Sequence, residues 1–130
     1  MVGVESGEKA SSGLWSIDLG WFEARNRSFD TLARTCLCPT HRRLGAALAA
    51  AEVIKTIKTC CSKQPDFLSE RMSVLETVFR LLLARGNEPF RLAELGRILA
   101  ELRGTGRLSQ PATLSRLLEG DQYYGVRHVG

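Results

Sequence analysis

All four cysteines and one of the two histidines fall in two short clusters, Cys36-Leu37-Cys38-Pro39-Thr40-His41 and Cys60-Cys61. Cys38 and His41 form a C-x-x-H pair, a spacing that lets two ligands at a helix start converge on one ion. Cys60 and Cys61 are neighbours, and neighbours on an α-helix diverge by about 100°. Both can face one ion only where the helix ends, as Ser62 to Pro65 implies. The chemistry these residue types offer is a closed tetrahedral site of structural type, zinc held by Cys38, His41, Cys60 and Cys61. An iron–sulfur cluster on the thiolates, which would make the protein a redox or iron sensor, is the second reading. Buried free thiols are the third, since cysteine is among the most buried residue types. A Cys60–Cys61 disulfide would be strained and is not expected.

The element between the clusters decides whether they can meet. Residues 40–60 hold strong helix formers and no internal proline. A straight helix of that length would keep the clusters about 30 Å apart. One shared site therefore requires a break, expected at Gly45. At helical spacing Leu44, Ala47, Leu48, Ala51 and Ile54 share the face expected to pack, with Val53 and Ile57 toward the other side. Small alanines allow close approach, so this face is also the surface expected for a homodimer.

Upstream, Asp18 and Ser28 are expected to cap short helices through residues 23–24 and from Phe29 to about Thr35. Trp21, Phe22, Phe29, Leu32 and Leu37 then face a common core. Residues 1–13, rich in Gly and Ser, read as a disordered tail. Downstream, Ser69 is expected to cap a long helix in which Met72, Leu75, Phe79 and Leu82 recur at helical spacing, with Val74, Leu81 and Leu83 as a second apolar flank. Gly86-Asn87 stops it. A short extended piece with Phe90 inward follows, then a helix on Leu92, Leu95, Ile98, Leu99 and Leu102 that stops at Gly104. Ser109 caps the next helix, with Pro111 in its first turn and Leu114, Leu117 and Leu118 buried. Residues 123–129 have strand propensity and are expected to pair with residues 89–91.

The order long helix, G-N-E-P-F strand, L-x-x-L-x-x-x-L helix, Ser-capped helix, D-Q-Y-Y-G-V-R strand resembles the short-winged helix-turn-helix domains of bacterial transcription accessory proteins and small regulators. The likeness covers about the C-terminal half. It implies a mainly α fold, a winged-helix module with a short β wing packed on an N-terminal helical segment. The corresponding division is 1–13 tail, 14–66 helical segment with the Cys/His cluster, and 67–130 winged helix. It also implies duplex DNA as partner. Arg116 would read guanine or a phosphate, Ser109, Gln110 and Thr113 would contact phosphates or bases, and Arg107 and Arg127, with His128, would flank the backbone. Arg116 and Glu119 leave that helix face close to neutral, which fits a protein-interaction adaptor as the alternative.

Composition narrows the classes. A net charge of +4 permits nucleic-acid binding without demanding it. No apolar run reaches the roughly 18 residues of a membrane span, and no charged and then apolar leader is visible, so a cytoplasmic protein is expected. Neither histidine sits in a nucleophile context. No glycine loop is built to cradle phosphates, and no carboxylate pair stands out, so no enzymatic activity is expected.

Overall fold

The structure, a computed structural model, describes residues 13–43, 48–104, 106 and 110–129. The tail expected over residues 1–13 lies outside these except for Gly13. The elements run β1 (Leu14–Ile17), α1 (Leu19–Ala24), α2 (Phe29–Arg34), α3 (Pro39–Arg43), α4 (Ala50–Thr59), a 3-10 turn (Cys61–Lys63), α5 (Val74–Ala84), β2 (Phe90–Arg91), α6 (Leu92–Arg103), α7 (Pro111–Glu119) and β3 (Val126–Val129). The fold is mainly helical with one small antiparallel sheet.

The sheet differs from the expected pairing of the closing strand with residues 89–91. Its order is β2-β1-β3, with Trp15 opposite both Phe90 and His128, and Ile17 opposite Val126. The N-terminal strand holds the centre because Leu14-Trp15-Ser16-Ile17 alternates, burying Trp15 and Ile17 on one face. β2 has only two residues, too few to cover β1 along its length. Asn87 completes that edge. At φ 64° it turns its amide onto Ile17, accepting the Ile17 N–H at 2.8 Å and donating to the Ile17 carbonyl at 2.9 Å. A side chain thus substitutes for a missing strand residue.

Local capping chemistry sets the helix starts. Asp18 accepts the Gly20 N–H, and Ser28 accepts that of Thr31. The long helix begins later than expected, at Val74. Ser73 stands three residues before Glu76 and accepts its N–H at 3.1 Å, whereas Ser69 stands before Met72 and closes only a turn onto Arg71. The S-x-x-E spacing outcompetes S-x-x-M because a Glu at the third helical position favours a helix start. α5 then buries Val74, Thr77, Val78, Phe79, Leu81, Leu82 and Leu83, so it packs on two sides. A single buried cluster takes in Trp15, Phe22 and Ile57 from the first half and Phe79, Leu95 and Leu118 from the second. The two segments are one core.

The helix expected over residues 40–60 is two helices, α3 and α4, with Gly45 outside the described residues. Its buried face also differs. Val53 and Ile57 are fully inward and Ala51 is exposed; of the expected face, Leu48 and Ile54 are half-buried and pack on the core, and Leu44 and Ala47 lie outside the described residues. With the helix shortened, the β-branched stripe buries more apolar area than the alanine stripe, and transfer free energy follows area.

Gly125 marks the tightest approach. Its φ is +67°, and a Cβ there would lie 2.6 Å from Phe22 Cε2 and 3.1 Å from Trp21 Cε3. Gly125→Ala is expected to cost roughly 2–4 kcal/mol, combining left-handed strain with overpacking. Equilibrium urea unfolding measures it, and a loss below about 0.5 kcal/mol would contradict the contact.

Candidate metal centre

The site is assembled where three short elements meet. Cys38 precedes Pro39 at the start of α3, and His41 lies one turn on, so the C-x-x-H pair shares a face. The chain leaves helical geometry at Cys60 (φ −129°, ψ −63°), immediately after α4, and enters the 3-10 turn at Cys61. That departure removes the divergence a continuous helix would impose on adjacent side chains. The break between Arg43 and Ala50 brings the two clusters together.

One donor atom each from Cys38, His41 and Cys60 lies within 4.8 Å of the other two, so these three could hold a metal ion. Cys61 is beside them. Its sulfur is 3.9 Å from His41 Nδ1 and accepts the Cys38 backbone N–H at 3.1 Å. Cys38 Sγ is 3.2 Å from the same Nδ1. Sulfur and nitrogen ligands on a tetrahedral zinc ion stand about 3.5 Å apart, from bond lengths of about 2.3 and 2.0 Å. The two observed sulfur–nitrogen distances bracket that spacing. Cys38 and Cys61 are buried, and His41 and Cys60 are half-buried.

The electrostatics separate the sulfurs. Hydrogen bonds to Cys38 from the His41 side chain, and then from the His41 backbone, pull its thiol from 9.0 down to about 6. Burial pushes Cys61 up to about 11. A ligand site needs thiolate at neutral pH, and Cys38 is prepared for it, whereas Cys61 would lose its proton to the metal. In the metal-free protein the depressed Cys38 pKa stabilises the fold most above pH 9, and this contribution fades as pH falls through about 6. After chelation, thiolate ultraviolet absorbance is expected to show one step near pH 6 that disappears in Cys38→Ala and moves toward 9 in His41→Ala. Titration of every thiol near 9 in the wild type would contradict this.

Cys36, whose role the spacing leaves open, stands apart from the group. It is buried, its thiol is raised by burial, and its sulfur is 4.0 Å from Thr35 Oγ1. It lines a cleft of about 170 Å³ shared with Cys38, Cys61, Met72 and Arg80. A Cys38–His41 pair beside a cleft is also the minimum of a thiol nucleophile with its base. Two further sulfurs around the imidazole make metal ligation the better account of the group.

The residues implied for DNA contact are spread unevenly. Gln110 and Arg116 are exposed on α7 and Thr113 is half-buried, while Arg107 and Ser109 lie outside the described residues. α7 starts at Pro111, with Gln110 in the cap position. Arg127 is engaged within the fold, donating to the Asp121 carbonyl at 2.7 Å and to the Val126 carbonyl at 2.9 Å. These two bonds fix the turn before β3 and use two of the five guanidinium N–H donors of a half-buried side chain. His128 is exposed and stands edge-on to Trp15 at 5.2 Å.

Asp121, legible only as a helix stop, turns out to organise that turn with three backbone hydrogen bonds. No helix among the described residues is long and apolar enough to cross a membrane. No protein-family model, curated protein or solved structure matches the chain.

Proposed function

We propose that the protein is a zinc-binding winged-helix protein that binds duplex DNA as a transcriptional regulator. The observation that carries the zinc assignment is the convergence of Cys38, His41 and Cys60 from two separate helices, and the Cys61 sulfur, 3.9 Å from His41 Nδ1, is the fourth ligand we infer. A mixed sulfur–imidazole set at tetrahedral spacing suits zinc. An iron–sulfur cluster is the weaker fit, since such clusters are usually held by four cysteines and Cys36 stands outside the group. Zinc would supply a closed structural staple, tying the start of α3 to the end of α4.

The winged-helix reading rests on element order. Helix α5, strand β2, helices α6 and α7 and strand β3 follow one another, and β2 and β3 belong to one sheet with β1 between them. α4 and α5 pack together, as do α6 and α7. Metal occupancy would hold α4 against α5 and thereby set the position of α7, making DNA binding metal- or redox-dependent. Arg116 on α7 is the cation expected to reach the duplex.

The second reading, an adaptor of the transcription or translation machinery, is favoured by the internal engagement of Arg127 and by exposed Glu119 near Arg116. Mobility shift on duplex DNA at low and moderate salt separates them. Under the regulator reading Arg116→Ala weakens binding roughly 5- to 150-fold. A wild-type protein that leaves duplex DNA unshifted at low salt would overturn it in favour of the adaptor.

A further inference from the structure

Three guanidinium groups surround one indole ring. Arg25 lies 4.4 Å, Arg127 5.2 Å and Arg27 5.4 Å from the Trp21 centroid. Arg127 is fixed by its two carbonyl acceptors. The side chains of Arg25 and Arg27 make no ion pair or hydrogen bond among the described residues, and Glu23 near the end of α1 pairs with neither. Arg27 also stands 4.5 Å from the ring of Tyr123, which is 52% exposed. The turn Arg25-Asn26-Arg27 is held by Asn26 at φ 54° and by the Arg27 N–H on the Phe22 carbonyl.

Like charges gathered on one ring repel one another, and the attraction of each to the π face is modest. What relieves them is an anion, and planar guanidiniums match phosphate oxygens two at a time. An exposed tyrosine beside them adds a face on which a base or sugar can rest. Tyr123 follows the end of α7 after the turn Gly120-Asp121-Gln122, so this patch lies close in the chain to the C-terminal end of the helix proposed to reach DNA.

We infer that Arg25 and Arg27, with Tyr123, form a phosphodiester-binding surface for a nucleic-acid strand. The inference deepens the DNA reading and rests on it for the choice of nucleic acid over another polyanion. It adds a backbone contact at the α1–α2 turn, a place the helix-turn-helix pattern does not indicate. The guanidinium groups of both arginines already lie over the Trp21 ring, so the side chains are partly ordered before a phosphate arrives.

The test is fluorescence anisotropy over a salt series, with a labelled duplex and a labelled oligothymidylate, each of about 20 nucleotides. Arg25→Gln/Arg27→Gln removes both charges and keeps a polar side chain at each position. It is expected to lower the log–log salt slope by about 1.8 on duplex or about 1.4 on single strand. Arg25→Lys/Arg27→Lys is expected to keep the wild-type slope. The single glutamine variants, each lowering the duplex slope by about 0.9, cover the case in which the double variant fails to fold. Wild-type binding with an unchanged slope in the glutamine variants would overturn the patch and leave the duplex reading standing. Arg25- and Arg27-dependent binding of the oligothymidylate alone would uphold the patch and overturn the duplex reading. Binding of neither probe would overturn both.

Discussion

Cys38→Ala is expected to empty the metal site and lower the melting temperature by about 10 °C or more relative to the zinc-loaded protein. A ligand held a thousandfold above its dissociation constant contributes about 4 kcal/mol to the folded state, and each kcal/mol moves the midpoint of a domain this size by about 3–5 °C. Cys38 is the right position to break. Its sulfur is the one poised as a thiolate, and its backbone N–H also tethers Cys61. The substitution leaves only three candidate protein donors, His41, Cys60 and Cys61, and three donors hold the ion less tightly than four. Chelation of the wild type should reproduce most of the shift, whereas the chelated variant should lose little more. Equal melting of wild type with and without chelator would show that the sulfurs are free thiols and that the core alone holds α3 and α4.

The largest effect away from the metal is expected at Asp121. This carboxylate is 1% exposed. One oxygen accepts the N–H groups of Tyr123 at 2.9 Å and Tyr124 at 3.0 Å, and the other accepts that of Val126 at 2.9 Å. Its own carbonyl receives Arg127. The turn from α7 into β3 therefore has no independent backbone pairing for these donors. Asp121→Ala strands three N–H groups, each worth about 1–3 kcal/mol when left buried and unpaired, and an overall loss of roughly 3–5 kcal/mol is expected. Asp121→Asn keeps one carbonyl oxygen but turns an NH2 toward a donor, so it should fall between alanine and wild type. Urea unfolding checks both. An alanine variant within about 1 kcal/mol of wild type would mean that the turn is held by Arg127 and packing instead.

What could be read ahead of the structure was local. The caps at Asp18 and Ser28 and the stops at Gly86-Asn87 and Gly104 follow from side-chain and backbone preferences of the residues themselves, and they stand where expected. The candidate metal ligands were legible by residue type, and the requirement for a helix break by length. What was not legible depends on distant partners. Four residues of alternating Leu14-Trp15-Ser16-Ile17 carry a strand signal, but one too short to tell that they insert between β2 and β3. Asn87 reads as a helix stop, and its second task of pairing Ile17 exists only once β1 is in place. The inward face of α4 is centred on Val53 and Ile57, with Ile54 at its flank, so the expected face holds only in part. The two carbonyl acceptors of Arg127 carry no sequence signal, because they are set by the turn that Asp121 builds.

The central claim, that Cys38, His41, Cys60 and Cys61 bind one zinc ion, is tested most directly by elemental analysis of freshly purified full-length protein, with the Cys38→Ala variant prepared alongside. About one zinc per chain in the wild type, lost from the variant, is the predicted result. A wild-type protein with no stoichiometric metal, or one whose zinc survives the loss of Cys38, would contradict it.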